Sequence, residues 1–323
     1  MRTMQALVVD QGNVTFTQQY KVPEPQSEEV LISMEMAGIC ATDLEIIKGY
    51  MGFSGVLGHE FVGRVVKGPS DLLDQRVVGT INCVCGKCDM CLSGLSNHCR
   101  NRTVLGIDGR DGAFAEFLVL PRRNVHVIPD SLSHDEAVFV EPLAAAIQIV
   151  KQVPIEKHHK VVVVGDGRLG LLVIQVIAAY SEKSNAVLLG KHEEKLTFCE
   201  KRGLQGIHLD DMHIKPQWDV VVDCTGSADG FATACGLVRP RGKLVLKSTF
   251  LPDKPVDLSS LVINEVNLIG SRCGPFPDAI NALAAQEVVV NGMITSRFKL
   301  SDGLKALEKT KSPEQIKVVL ENR

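Results

Sequence analysis

The 323-residue chain lacks the features that would mark it for a charged polymer or a lipid. Its 35 basic and 38 acidic side chains leave a formal net charge of only -3. They are intermixed, so neither nucleic acid nor an anionic membrane surface finds an electrostatic partner. No apolar run approaches the roughly 18 residues of a membrane span. The opening "MRTMQALVVDQGNV" has an apolar stretch too short for a signal-peptide core and soon turns polar. Internal repeats, low-complexity tracts and long linkers are absent too. The expectation is a cytoplasmic protein, long enough for two domains with separate cores, whose partner is a small molecule.

Cysteine, by contrast, is plentiful: the chain has 10, and five fall within "NCVCGKCDMCLSGLSNHC", residues 82–99. In a reducing cytosol structural disulfides are rare, so a cluster this dense asks for a metal. Cys85, Cys88, Cys91 and Cys99 are separated by two, two and seven residues, with Gly86 and Gly94 supplying turns. Four thiolates can then converge tetrahedrally around a structural zinc, a closed site that stabilises a lobe and does no chemistry. An iron–sulfur cluster competes, because the first three spacings resemble a ferredoxin run. That run needs a nearby fourth Cys followed by Pro, whereas Cys99 precedes Arg100. A redox disulfide and unliganded thiols are the remaining alternatives, and Cys83 lies outside the spacing.

The first part of the chain reads as short strands, "QALVVD", "EEVLISMEMAG", "EFVGRVVKG", "QRVVGTI" and "GAFAEFLVLP", bounded by Gly, Pro and Asp, which predicts a β-rich, barrel-like domain. Near residue 150 the pattern changes. Apolar runs such as "KVVVVG", "NAVLLG", "WDVVVDCTG" and "GKLVLKS" alternate with helical segments, the pattern of a doubly wound parallel sheet in an α/β fold. Within "KVVVVGDGRLGLLVIQVIAA", Gly165, Gly167 and Gly170 follow a strand and open a helix. They supply a tight turn, close approach to a pyrophosphate and close helix–strand packing. Arg168 and Leu169 sit between them, where the helix N-terminus presents N–H groups to the anion.

Three further segments hold metal-ligand residue types. "AGICATDLE" has Cys40 in a turn, "VLGHEFVGRV" has His59 and Glu60 after Gly58, and "VFVEPLAAA" has Glu141 before Pro142. A mixed Cys, His and carboxylate set with one position left to water is what catalytic zinc uses. Alone, each of these residues reads more readily as structural than as a ligand.

Taken in order, "GICATD", "GHE", "CGKCDMCLSGLSNHC", "EPLA" and "VVVVGDGRLG" resemble the zinc-dependent medium-chain dehydrogenase/reductase family of alcohol, sorbitol, threonine and glucose dehydrogenases. The "EPLA" segment is more similar to the polyol and threonine branches than to liver alcohol dehydrogenases. The resemblance implies a GroES-like catalytic domain over 1–149, resumed over 272–323, around a Rossmann dinucleotide-binding domain over 150–271. It implies two zinc ions per chain. Cys40 and His59 would hold the catalytic ion, with Glu60 and Glu141 sharing the roles of third ligand and water-orienting acid. Cys85, Cys88, Cys91 and Cys99 would hold the structural ion. Thr42 would relay the substrate proton, although "DLEIIKGY" offers no counterpart to the histidine that completes the relay in liver enzymes. The implied reaction moves a hydride between an alcohol or polyol, or the matching carbonyl, and a nicotinamide cofactor, in a homodimer or homotetramer. A zinc-free reductase of the same superfamily and a non-catalytic dinucleotide-binding protein are the competing readings. Tyr50, Met51 and Phe53 either line the substrate cleft or pack as a loop.

Cofactor choice turns on "NAVLLGKHEEKL". NAD-binding folds usually end their second strand in an Asp or Glu that accepts hydrogen bonds from ribose hydroxyls. Gly190 stands there instead, followed by Lys191 and His192, with Lys195 one helical turn on. Ammonium groups near a phosphate gain charge-assisted hydrogen bonds, which favours NADP over NAD. Against this, Glu193 and Glu194 partly cancel the charge, and the basic residues also suit a solvated helix start.

Overall fold

The computed structural model describes residues 2–181, 185–249 and 257–322. The chain divides into two compact units, Met1–Glu141 with Val290–Arg323, and Pro142–Val289. The sequence reading set these boundaries at 149/150 and 271/272. The structural division differs because the segments flanking the second unit pack on each other. A Cβ on Gly274 would lie 1.8 Å from the Ala144 carbonyl oxygen, and Lys151 pairs with Asp278 at 2.7 Å. Among the described residues, no helix is long and apolar enough to cross a membrane.

The first unit is built on a seven-stranded sheet with Glu29–Gly38 at its centre. That strand pairs with Glu60–Lys67, Phe117–Pro121 and Lys317–Glu321. With neighbours along both edges, Val30, Ile32, Met34 and Ala37 are almost fully buried. The outer strand Phe117–Pro121 alternates instead, with Leu118 and Leu120 inward, as expected of a strand with one wet face. Lys317–Glu321 runs parallel to Ile294–Lys299 and antiparallel to the central strand, setting Val319 opposite Gly38. On its other edge Gly38 faces Glu60, so segments about 260 residues apart in sequence meet at one glycine. Two three-stranded sheets complete the unit, one of them holding Asn82–Cys83 and Thr103–Leu105 on either side of the cysteine loop.

The second unit is a six-stranded parallel sheet. In space its strands run Gln205–His208, Asn185–Gly190, Lys160–Val164, Trp218–Asp223, Val238–Leu246 and Asn267–Gly270. In chain order this is third, second, first, fourth, fifth, sixth, the dinucleotide-binding order, whose ligand crevice opens where the order reverses. Val161 to Val164 are 4% exposed or less because helices cover both faces. Trp218, Phe231, Leu237 and Leu244 fill the core on one side.

Candidate active site and metal centres

The four cysteines at the expected spacing converge. Sγ of Cys88 lies 3.5 Å from that of Cys91 and 3.8 Å from that of Cys99, which is 3.5 Å from that of Cys85. All four sulfurs lie within 4.8 Å of one another. A tetrahedron with metal–sulfur bonds of about 2.3 Å has edges of about 3.8 Å, so the spacing fits zinc. These thiols are free, not paired as disulfides. Backbone N–H groups of Lys87 and Cys88 hold the Cys85 thiol down to about 6, while burial and the neighbouring thiols push Cys91 up to about 12. A cation bound at their centre would hold all four as thiolates. The loop is stapled from outside by a two-pronged Arg100–Asp89 pair, 2.7 Å on each arm. Cys83 is buried apart from the cluster.

Cys40, His59 and Glu60 form a second group with ligand atoms mutually within 4.8 Å. Local sequence explains the placement. Cys40 is the N-cap of the helix Ala41–Ile47, and Asp43, three residues on, turns its carboxylate back to accept the Cys40 N–H at 2.8 Å. The other oxygen of Asp43 lies 3.1 Å from His59 Nδ1. A carboxylate on one ring nitrogen fixes the tautomer and leaves Nε2 for a metal. Both side chains are buried. Burial alone would lower the His59 pKa, but the charges of Asp43 and Cys40 outweigh it and hold the value well above normal. Gly58 sets the turn with φ +95°, and any Cβ there would strike Phe114. Thr42 Oγ1 lies 3.7 Å from Cys40 Sγ. Glu141 occupies the first turn of the helix Val140–Gln152 and is not a member of the Cys40 group.

Glu60 has a partner that the sequence did not suggest. Lys317 Nζ forms an ion pair with Glu60 Oε2, and neither side chain is exposed. Burial lowers the Lys317 ammonium to about 8, opposed by the charges of Cys40 and Asp43. Gly38 makes room: a Cβ there would stand 2.2 Å from Lys317 Nζ and 2.8 Å from Glu60 Oε2. Asp43 was missed as well. Its only sequence signal was a charged residue three positions after a candidate ligand, in a helix too short to show a face. In the following loop, Phe53 is buried, whereas Met51 adopts φ +63° and is half exposed.

In the second unit the glycine loop follows the strand Lys160–Val164, and Gly167 caps the helix Arg168–Tyr180. Gly165 turns with φ +108°, and a Cβ on Gly170 would lie 1.8 Å from the Gly165 carbonyl oxygen. A Cβ on Gly167 would meet nothing within 4 Å, so the protein's own packing does not demand glycine there. Arg168 and Leu169 begin the helix, half-buried. Gly190 ends its strand, Lys191 is exposed, His192 is half-buried and Lys195 is buried.

A dinucleotide-type sheet joined to a β-rich unit with a four-thiol cluster and a Cys–His–Glu group defines a class, the metal-containing nucleotide-dependent dehydrogenases. Comparison with known proteins narrows it. Residues 26–130 match the alcohol dehydrogenase GroES-like domain and residues 134–322 the glucose dehydrogenase C-terminus. Sorbitol dehydrogenase of Halalkalibacterium halodurans is 28% identical, over 98% of this chain and 99% of its own. D-arabitol-phosphate dehydrogenase of Enterococcus avium is 30% identical, over 93% and 92%. A Sinorhizobium meliloti protein, provisionally classed as a zinc-binding dehydrogenase and solved bound to NADP, superposes with a TM-score of 0.88 at 26% identity, covering 99% of this chain and 100% of that one. The chain belongs to the zinc-type medium-chain dehydrogenase family, oxidoreductases that act on alcohols with a nicotinamide cofactor.

Proposed function

We propose that this protein is a zinc-dependent dehydrogenase of polyols or related alcohols, working in either direction. The observation that carries the reading is the grouping of Cys40, His59 and Glu60, with Asp43 holding the imidazole. Cys40, His59 and Glu60 would hold one zinc, and Cys85, Cys88, Cys91 and Cys99 a second. Bound zinc supplies Lewis-acid polarisation of a hydroxyl or carbonyl oxygen, and the nicotinamide takes or gives the hydride. The chain's own residues do the rest. Thr42 Oγ1, next to Cys40 and half-buried, would accept a hydrogen bond from the substrate hydroxyl and relay its proton on toward solvent, or run the same relay in reverse. Asp43 keeps His59 in one tautomer, and Glu141 is the acid that orients water. Lys317 offsets the charge of Glu60, so that a thiolate and two carboxylates can be buried together. Gly165, Gly167 and Gly170 with the helix N-terminus cradle the pyrophosphate, which explains a glycine at 167 that packing does not need.

The preference for NADP over NAD is supported by exposed Lys191 after the strand end and by the NADP-bound relative. Lys195, being buried, gives it little help. Liganded thiols suit a reducing, cytoplasmic setting. A homodimer or homotetramer is supported by the edge strand Asn267–Gly270, whose outer side pairs with no described strand, and by Val262 and Ile263 beside it, 76% and 79% exposed.

The test is timed chelation with elemental analysis, alongside turnover of polyols and phosphorylated polyols with both cofactors. Two zinc ions per chain are expected, one leaving early together with activity. A single metal ion, iron in place of zinc, or activity indifferent to chelation would overturn the reading.

A further inference from the structure

The glycine loop carries an aspartate between its first two glycines, and its carboxylate does not face solvent. Asp166 is 6% exposed. Its Oδ2 accepts the backbone N–H of Lys191 at 2.7 Å and that of His192 at 2.8 Å. The His192 ring nitrogen Nδ1 lies 2.9 Å from Oδ1. These bonds tie the loop after the first strand to the end of the second. A Cβ on Gly190 would lie 2.5 Å from Asp166 Oδ2 and 2.6 Å from Asp166 Cβ. Gly190 is therefore glycine because Asp166 fills the space. The acid missing from the strand and the acid present in the loop are two halves of one arrangement.

We propose that Asp166 is the residue that discriminates between a 2'-hydroxyl and a 2'-phosphate on the adenosine ribose, its carboxylate standing in for the usual strand-end acid. This rests on the dinucleotide reading given above. A phosphate brought to the end of the strand Asn185–Gly190 would seek the N–H groups of Lys191 and His192. Asp166 already occupies them, and its charge repels the newcomer. A neutral hydroxyl instead donates to a remaining carboxylate lone pair. Burial would raise the Asp166 pKa, but the hydrogen bonds from the His192 ring and the two N–H groups outweigh it, so the carboxylate is ionised at neutral pH. Lys191 pulls the other way. Asp166 thus lowers NADP relative to NAD, whichever of the two the wild-type protein prefers.

The test is calorimetric binding of NAD and NADP, each alone, to wild type and to Asp166→Asn. The amide oxygen can accept both backbone N–H groups while the amide nitrogen donates to His192 Nδ1, so the loop keeps its shape and loses its charge. The NADP-to-NAD affinity ratio should rise about tenfold, the scale of one screened charge pair. A second arm moves the acid. Gly190→Asp alone should lose both dinucleotides through the clash with Asp166, and adding Asp166→Gly should restore NAD binding. Asp166→Ala would not serve, because its Cβ is one of the clashing atoms. An unchanged ratio in Asp166→Asn, or Gly190→Asp binding as well as wild type, would overturn the role of Asp166 and leave the dinucleotide reading intact. Wild type that binds neither dinucleotide would overturn both. If Asp166→Asn does not fold, the double variant decides by the same ratio.

Discussion

Lys317 and Glu60 are both fully buried and in contact, so removing either should be expensive. Taking one partner from a buried ion pair leaves an uncompensated charge and costs about 3–5 kcal/mol. Lys317→Met keeps the volume and removes the ammonium, so metal-free protein should lose about that much stability. Glu60→Gln strands the ammonium and should cost a similar amount. The Phe139 ring 5.9 Å from Lys317 Nζ adds a cation–π contribution of about 0.5–2 kcal/mol at most. The double variant removes both charges of the pair and should lie above both single variants, giving a coupling of about 3 kcal/mol or more. Urea denaturation of chelated protein, followed by far-UV circular dichroism, measures all four corners. Single costs that simply add, with coupling below about 0.5 kcal/mol, would mean that the pair does not act as a unit.

Three further outcomes follow from the same geometry. Asp43→Ala should weaken zinc retention about 10–100-fold by freeing the His59 ring, and should cost about 0.5–2 kcal/mol for the lost cap on Cys40. Equilibrium metal competition and thermal melts read the two effects separately, and unchanged zinc affinity would remove Asp43 from the site. Glu141→Gln should slow turnover with both zinc ions retained, whereas Glu60→Gln should release one faster; the reverse pattern in elemental analysis would exchange their roles. The lowered pKa of Asp166 stabilises the fold above the unfolded Asp value of about 3.9, a contribution lost as pH falls through the lower folded value. Wild type and Asp166→Asn should therefore differ in melting temperature near neutrality and converge in acid, and a gap that widened below pH 4 would contradict the hydrogen-bond pattern.

The sequence carried most of what depends on local spacing. The Cys85, Cys88, Cys91 and Cys99 set, the glycine loop and the strands around "EEVLISMEMAG" and "KVVVVG" were legible because each repeats a rule within a few residues. Lys317 was not legible, since nothing in "EQIKVVLE" singles out one lysine until the strand Lys317–Glu321 pairs with Glu29–Gly38 and delivers it to Glu60. Asp166 was hidden differently. It sits inside the motif itself, at a position the glycine pattern leaves free, and only the approach to Gly190 gives it meaning. Asp43 reads as an ordinary polar residue until its two carboxylate oxygens are seen to hold Cys40 and His59. The strands Asn13–Lys21 and Ile294–Lys299 escaped because their polar alternation is faint beside the apolar runs.

Because the strand carrying Lys317 comes so late in the chain, the first unit cannot mature in the order in which it is translated. Pro142–Val289 is one continuous stretch and can fold as it emerges from the ribosome. Cys40 and His59 are made early, yet the sheet beside them stays open, with Glu60 uncompensated, until residues 317–321 arrive to close it. Completion of the Cys40, His59 and Glu60 group is thereby deferred until the strand carrying Lys317 has been made, and a pause in translation before that point would leave these side chains exposed before their site exists.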